Sequence, residues 1–317
     1  HLSPEFGMTV NEIERDGYKV NEKIEMLLSA DTDTAIVKAM GLAMISAADV
    51  FKKLNPDLLV ILGDRFEMLA LAQSAYLMNI PIAHIAGGET TEGAFDEGIR
   101  HSITKMSSLH FAATEIYKKR IIQLGENPDR VFNVGALGLD NIKNMKLISK
   151  QDLEKDLKLR FDSKTALVTF HPVTLEKESP KKQFEKLLKA FEKFHELKLI
   201  FTMPNSDTGG REIIAMINKY SEQRENAYAF TNLGQKRYLS TLKYVDLVIG
   251  NSSSGIVEVP FMGIPTSNIG DRQKGRIMGE SIVNVKCDER EIVKGITACL
   301  NRKKAIGKMK NPYGNGT

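Results

Sequence analysis

This chain has little cysteine, no basic tract and no long apolar run, and each absence weighs against a class of protein. Its two cysteines, Cys287 and Cys299, lack the spacing of a metal site or a disulfide framework, so we expect reduced thiols in the cytoplasm. The 44 basic and 40 acidic residues nearly balance, to a net charge of +4, and their scatter argues against binding nucleic acid or a membrane surface. No unbroken apolar run approaches the roughly 18 residues of a membrane span. We therefore expect a cytoplasmic protein.

What is present is a repeated alternation of short apolar runs and helical patterns. In the first half the apolar runs are DLLVILGD (57–64), IPIAHIAGG (80–88), SLHFAAT (108–114) and RVFNVGA (130–136). After a charged segment at 150–164 they resume with TALVTFHP (165–172), LKLIFTMP (197–204), NAYAFTN (226–232), YVDLVIGN (244–251) and IPTSNIG (264–270). Such runs, separated by helices, are typical of parallel sheets with crossover helices.

This pattern predicts an α/β protein of two doubly wound domains. A length of 317 residues with 42% hydrophobic content fits two cores, at roughly 100–200 residues per domain. We place the boundary near Asp162 and Ser163, which gives domains at 1–163 and 164–317. The opening HLSPEFG reads as a loop with no strong strand before it, so we expect the start of the first domain to be missing. The ligand site should lie in the interdomain cleft, beyond the carboxyl ends of the strands.

The stretch GNSSSGIVEVP (250–260) marks a predicted strand-to-helix junction in the second domain. There, free backbone N–H groups and the positive end of the helix dipole can hold a diphosphate beside Ser252, Ser253 and Gly255. The alternative for the serines is an ordinary N-cap. Glu258 lies more than one turn into the helix, where it suits a ribose diol better than a phosphate, and a solvated helix carboxylate is the alternative.

Charged residues follow two predicted strands of the first domain. Asp64 can act there as acid, base or orienting group and Arg65 can neutralise a diphosphate, although a Gly-Asp pair is also a common turn. The loop GGETTEGAFDE (87–97) gathers carboxylates that include Glu89 and Asp96. Grouped carboxylates in a cleft can have their pKa values pushed apart to supply an acid and a base. A helix cap at Asp96 and solvated charge elsewhere is the alternative.

Further candidates follow strands of the second domain. His171 can contact a phosphate or move a proton at neutral pH, or it can be merely hydrogen-bonded. Asn205 follows the next strand, and Arg272 belongs to the stretch IGDRQKGR, whose cations serve either a diphosphate or the surface. His84 and His110 read as core histidines. Because no group of His, Cys and acids has metal-ligand spacing, we predict a reaction without metal or cofactor.

Together, VILGDRFE, HIAGGETTEGAFDEGIRHSITK, FHPVT, NSDTGG, GNSSSGIVEVP and NIGDRQKGR resemble the hydrolysing UDP-N-acetylglucosamine 2-epimerases of bacterial sialic acid biosynthesis. The similarity runs in order along almost the whole chain. It implies two Rossmann-like domains in a glycosyltransferase-B-like arrangement with the active site in the interdomain cleft, and a homodimer or homotetramer. The implied reaction converts UDP-N-acetylglucosamine and water to N-acetylmannosamine and UDP through a glycal.

The resemblance also implies roles for the candidate residues. Ser252 and Ser253 would hold the diphosphate, Glu258 would bind the uridine ribose, and Arg65 and Arg272 would add positive charge around the nucleotide. The catalytic positions of the family correspond here to Asp64, Asp96 and His171. Which of the three is the base stays open.

Two departures from the family qualify these expectations. Related enzymes often carry Glu where this chain has Ala86, so a proton-transfer group is absent or replaced, with neighbouring Glu89 as a candidate. The change alternatively marks a different sugar, such as the UDP-2,4-diacetamido-2,4,6-trideoxyhexose of legionaminic acid synthesis. The family's first strand and Gly-x-Arg loop, and its last helix, are also not found. A glycosyltransferase, a nucleotide-sugar sensor and a non-hydrolysing epimerase are the remaining alternatives.

Overall fold

The computed structural model describes residues 1–30, 32–92, 96–173, 178–204, 209–302 and 311–316. Within them the strands form two parallel sheets. The first sheet contains β1 (Leu59–Leu62), β2 (Ile82–Ile85), β3 (Leu109–Ala112) and β4 (Val131–Asn133). The second contains β5 (Thr165–Thr169), β6 (Lys198–Thr202), β7 (Ala227–Phe230), β8 (Leu247–Gly250), β9 (Thr266–Ile269) and β10 (Ile282–Val285). Every predicted strand is present, and β10 was not predicted.

Helices connect the strands along the chain. The first group is α1 (Val10–Arg15), α2 (Asp33–Leu54), α3 (Phe66–Leu77), α4 (Asp96–Met106), α5 (Glu115–Gln123), α6 (Gly138–Asn144) and α7 (Lys150–Leu157). The second group is α8 (Pro180–Phe191), α9 (Gly210–Glu222), α10 (Gly234–Tyr244), α11 (Ser254–Phe261) and α12 (Glu289–Leu300). Short 3-10 turns lie at Pro4–Phe6 and Pro128–Arg130.

The second sheet has the order β10-β9-β8-β5-β6-β7. From β5 the strands are added outward on one side as β6 and β7, and from β8 they are added outward on the other side as β9 and β10. The direction in which successive strands are added therefore reverses between β5 and β8. This is the strand order of a doubly wound nucleotide-binding fold, whose ligand crevice opens at the reversal point. All residues of β5 and β8 are buried, because helices cover both faces. The loops after β5 and β8 therefore meet at the position expected for a ligand.

The first sheet has the sequential order β1-β2-β3-β4. Because right-handed crossovers that advance in one direction place their helices on one face, α3, α4 and α5 cover the same side. Ile61 on that side is buried, while Val60 and Leu62 on the other side are 58% and 62% exposed. The register places Leu62 beside Ile85, Phe111 and then Phe132, so the uncovered face is an apolar row.

Helix α2 corrects the expectation drawn from apolar runs. It has 22 residues and, by length and composition alone, could cross a membrane, although Lys38 interrupts its apolar sequence. A core helix of a soluble protein passes the same test. Here the buried side chains recur every fourth residue, at Ala35, Ala39, Ala43, Ala47 and Phe51, and this stripe packs on α3.

A hydrophobic core also joins the two halves of the chain. Tyr117 and Leu139 from the first half belong to one buried cluster with Leu242 and Ile256 from the second. Helix α7 packs on α10, so the segment before the predicted boundary contacts the second sheet's helices. The boundary at 163/164 stays a prediction. His84 and His110, at 0% and 1% exposure, are core histidines as predicted.

Candidate functional site

Asn251 connects the two strand ends at the reversal point of the second sheet. Its Oδ1 accepts a hydrogen bond from the backbone N–H of His171 at 2.7 Å, and its Nδ2 donates to the carbonyl of His171 at 2.9 Å. Asn251 is fully buried. The structure therefore brings His171 and the GNSSSG stretch together, as predicted from their strand ends. The sequence interpretation had given Asn251 no role of its own, and its place between a strand-end glycine and the serines was the available signal.

The serines of this stretch are not ordinary helix caps. Ser253 occupies the N-cap position of α11 but makes no side-chain capping hydrogen bond. Within the described part of the chain, Ser252 Oγ accepts one long bond, of 3.4 Å, from the N–H of Ser254. Both serines are partly accessible at the start of an eight-residue helix, where first-turn amides favour an anion.

Gly255 has a packing role that the sequence did not indicate. The residue is buried, and a Cβ at this position would lie 2.9 Å from the Cγ2 atom of Thr266. The hydroxyl of Thr266 donates to the Gly255 carbonyl at 3.0 Å. Glycine thus allows α11 to approach β9 closely, which fixes the helix N-terminus relative to the sheet.

Glu258 is partly buried and its Oε2 atom is shielded from solvent, so the residue is not a solvated helix carboxylate. Its Oε2 atom has no hydrogen-bond partner among the described residues. Burial raises the pKa of the Glu258 carboxyl, while a hydrogen bond from Ser254 lowers it, and the hydroxyl of Tyr238 lies 2.7 Å from Ser254 Oγ. A ligand hydroxyl that donated to this atom would satisfy it, because an unpaired buried polar group is unfavourable.

Arg100 organises the first-domain side of the cleft. It is 1% exposed, and its guanidinium donates to the Glu89 carbonyl at 2.9 Å, to Thr91 Oγ1 at 2.7 Å and to the Asp64 carboxylate. Asp64 keeps 20% of its side chain exposed. The arginine therefore holds a partly accessible carboxylate at the end of β1. The sequence had not singled out Arg100.

Glu89 is paired across the cleft. Its Oε2 lies 2.7 Å from Nη1 of Arg276, and the two side chains are only 7% and 10% exposed. The charge of Arg276 also acts on Glu258 and is in turn stabilised by Asp64. Asp64 and Glu89 of the first domain and Glu258 of the second therefore all interact electrostatically with Arg276. The sequence left two alternatives for the cations of IGDRQKGR, a diphosphate contact or surface charge. Because the side chain of Arg276 is buried, it is not a surface charge.

Other predicted residues of the first domain have local settings. Asp96 is the first residue of α4 and therefore does not occupy the N-cap position, which precedes the helix. Arg65 lies 3.2 Å from the carboxylate of Glu67 and stacks 5.3 Å from the ring centroid of Phe66, so it has partners within its own helix. Ala86 adopts a left-handed backbone with φ of 64° at the end of β2, a conformation that non-glycine residues rarely adopt and that often marks functional sites.

In the second domain, Arg272 is 9% exposed and donates through Nη1 to the Asn251 carbonyl at 3.2 Å. Gln273 Nε2 donates to the same carbonyl at 2.8 Å. These bonds attach the loop after β9 to the GNSSSG stretch. Asn205, also predicted to bind substrate, lies outside the described residues.

The fold and the site define a two-domain α/β protein whose cleft has a helix N-terminus with two partly accessible serines on one side and carboxylates on the other. The chain belongs to the UDP-N-acetylglucosamine 2-epimerase family, whose sequence model matches residues 1–317. It is 47% identical over 290 residues to a Campylobacter jejuni GDP/UDP-N,N'-diacetylbacillosamine 2-epimerase (hydrolyzing), covering 91% of this chain and 75% of that protein. It is 39% identical to the Escherichia coli polysialic acid biosynthesis protein P7, covering 99% of this chain and 80% of that protein.

A solved structure supports the fold. UDP-GlcNAc 2-epimerase from Methanocaldococcus jannaschii, in complex with UDP-GlcNAc and UDP, matches with a TM-score of 0.79 and 20% identity. The match covers 100% of this chain and 86% of that one. The predicted family and the predicted pair of Rossmann-like domains in a glycosyltransferase-B-like arrangement are both confirmed.

Proposed function

We propose that this chain is a hydrolysing 2-epimerase of a UDP-linked 2-acetamido sugar. A base removes the proton at C2 as the C1–O bond to UDP breaks, which gives free UDP and a glycal with a C1–C2 double bond. Water then adds across that bond, with its hydroxyl going to C1 and a proton going to the opposite face of C2. The products are UDP and the free sugar epimerised at C2, so the atoms balance without an oxidant or reductant.

The observation that carries this proposal is the meeting of two strand-end loops through Asn251. His171 and the GNSSSG stretch form one side of the cleft, and the contact between Arg276 and Glu89 places the first-domain carboxylates on the other. A leaving diphosphate on the first side and a proton-transfer group on the second is what the proposed elimination needs.

We assign the nucleotide to the second-domain side. Ser252, Ser253 and the first amides of α11 would bind the diphosphate, with Arg272 beside them and Arg65 approaching from the first domain. Glu258 would accept hydrogen bonds from the ribose hydroxyls, which supplies the donor that its buried Oε2 lacks. Asn205 stays a predicted substrate contact.

We assign the proton transfers to Asp64, Asp96, His171 and Glu89. Asp64 and Glu89 are both held by buried arginines, an arrangement that fixes a carboxylate against a reacting carbon.

The preferred sugar is the UDP-2,4-diacetamido-2,4,6-trideoxyhexose. The 47% identity to the C. jejuni diacetylbacillosamine enzyme supports it, as does Ala86 in place of the glutamate that related enzymes often carry. UDP-N-acetylglucosamine is the second candidate, supported by the description of the whole family.

A cytoplasmic location and assembly into a homodimer or homotetramer stay predictions, and light scattering after size exclusion tests the assembly.

The test is to incubate the chain with each UDP-sugar separately in deuterated water and to follow the products by proton NMR. We expect free UDP and the 2-epimer deuterated at C2, with faster turnover of the diacetamido sugar. Faster turnover of UDP-N-acetylglucosamine would reverse the order of the substrates. A UDP-linked epimer as the product would indicate a non-hydrolysing enzyme, and UDP-sugar binding without turnover of either sugar would indicate a sensor.

A further inference from the structure

Two loops from different domains are in close contact at the cleft. Loop 87–92 follows β2 and loop 270–276 follows β9, and the N–H of Glu92 donates to the carbonyl of Lys274 at 2.9 Å. Gly275 has φ of 89°, and a Cβ there would lie 2.5 Å from the Cγ2 atom of Thr90. Only glycine allows this approach, so the loops interlock and do not merely touch.

The contact contains one buried ion pair and one exposed ion pair. Glu89 and Arg276 are 2.7 Å apart with 7% and 10% exposure, while Glu92 and Lys274 are 3.0 Å apart with 50% and 60% exposure. An exposed pair contributes little, because water and salt screen it. Breaking a buried pair by removing one partner leaves an uncompensated charge, which is far more costly.

Glu89 is held from both domains at once. Arg100 of the first domain donates to its backbone carbonyl, and Arg276 of the second domain binds its carboxylate. Arg100 by itself fixes where Glu89 lies but not where its carboxylate points. The orientation of the carboxylate therefore depends on the second domain lying against the first.

We propose that Arg276 is a positioning residue, which orients the Glu89 carboxylate for proton transfer only when the cleft is closed. Entry of a nucleotide sugar requires the domains to separate, and separation breaks the pair between Glu89 and Arg276. Closure around the substrate restores it, so proton chemistry begins after the substrate is enclosed. This inference rests on the proposed function, since it gives Glu89 a role in the epimerisation.

The test compares Arg276→Met, Arg276→Lys, Glu89→Gln and the double variant Glu89→Gln/Arg276→Met. We expect Arg276→Met to lower kcat about 100-fold, in the range for loss of an oriented acid or base. The dissociation constant for UDP should change less than about 3-fold. Because Arg276 acts through Glu89, the double variant should be no slower than the slower single variant. Arg276→Lys should recover part of the turnover.

Lys274→Met is the matched control, because it removes the exposed ion pair of the same loop contact. We expect less than about a 2-fold change in kcat from it. UDP binding weakened by Arg276→Met as strongly as turnover would overturn the proposal in favour of a direct nucleotide contact. Multiplied losses in the double variant would also overturn it, because they would indicate independent roles.

A second measurement keeps the inference separate from the proposed function. Hydrogen exchange of loop 87–92 in the UDP-bound protein should be faster in Arg276→Met than in the wild type and unchanged in Lys274→Met. Equal exchange in wild type and Arg276→Met would refute the positioning role, even if the wild type turns over a UDP-sugar. Faster exchange in a protein without turnover would retain the interdomain positioning and reject the proposed reaction.

Discussion

The two sides of the cleft are built in different ways. On the second-domain side, the residues assigned to the nucleotide lie mostly within nine consecutive positions, 250–258, where a strand, a turn and a helix follow one another. On the first-domain side, Asp64 and Glu89 are held by Arg100 and Arg276, which come from a helix and from the other domain. One side is a local backbone structure and the other is a set of long-range ion pairs.

The sheets beneath the two sides of the cleft also differ, in how completely their faces are covered. β5 and β8 are buried throughout, whereas Val60, Leu62 and Phe132 of the first sheet are exposed on the face that none of the described helices covers. A doubly covered sheet supports its strand-end loops from both faces. Except at Arg65, we therefore expect nucleotide binding to tolerate changes in the first domain, while turnover responds to changes in either.

Asp64→Asn should give the largest effect and should separate turnover from nucleotide binding most clearly. Without its charge, the side chain loses both proton transfer and the ion pair with Arg100, so turnover should fall at least about 100-fold. The affinity for UDP, measured by calorimetry, should change less than about 3-fold. His171→Ala is expected to lose turnover comparably. Near-normal turnover in both variants would remove the site assignment.

Acid should weaken the first domain before the second. Burial lowers the pKa of His84 from 6.5 to about 4, and burial also lowers the pKa of His101 and His110, which lie in the same domain. The unfolded chain takes up these protons near pH 6.5 and the folded chain does so only at lower pH. The contribution of these histidines to stability is therefore fully present above pH 6.5 and is lost as the pH falls towards 4, by about 3 kcal/mol for His84 once both states are protonated.

Urea unfolding at pH 8, 6.5, 5.5 and 5 tests this dependence. The wild type should lose stability steeply below pH 6.5, while His84→Gln should show a shallower slope. His195→Gln, at an exposed position in the second half, is the control and should retain the wild-type slope. Equal slopes in wild type and His84→Gln would contradict the prediction.

Glu258→Gln should weaken UDP binding without destabilising the fold. The amide keeps the shape but replaces a carboxylate acceptor, so UDP affinity should fall about 10- to 100-fold, as for loss of a hydrogen bond to a charged group. At saturating substrate kcat should stay within about 3-fold of wild type. Removing a charge whose Oε2 atom is shielded and has no hydrogen-bond partner among the described residues should also raise the melting temperature. Weaker turnover with unchanged UDP affinity would place Glu258 in the chemistry.

Tyr117→Phe should have the smallest effect, since it removes one hydroxyl between the domains. That hydroxyl lies 3.0 Å from the hydroxyl of Tyr313 and accepts from the N–H of Ile277 at 3.3 Å. Losing it should cost about 1 kcal/mol of unfolding free energy. Tyr76→Phe, at an exposed position, is the control and should leave stability unchanged. A cost from Tyr76→Phe as large as that from Tyr117→Phe would remove the interdomain explanation.

Much of the fold was predictable because parallel strands in α/β proteins are continuous apolar runs. The runs before Asp64, His171 and Asn251 located three strand ends, and those ends located the cleft. The short strand β10 was missed because its burial is partial, with Asn284 exposed within it. Helix α2 was not predicted because its apolar residues are spread over six turns and are mostly alanines on the packed side.

The sequence by itself determined the alternation of strands and helices, the family motifs and the strand-to-helix junction at GNSSSG. Each of these depends on neighbouring residues, whose geometry the backbone fixes locally. Only the tertiary structure decided that Glu258 is shielded, that Arg100 holds Asp64, and that Arg276 reaches Glu89 across the cleft. Burial and ion pairing depend on which distant segments meet, and no spacing along the chain specifies that meeting.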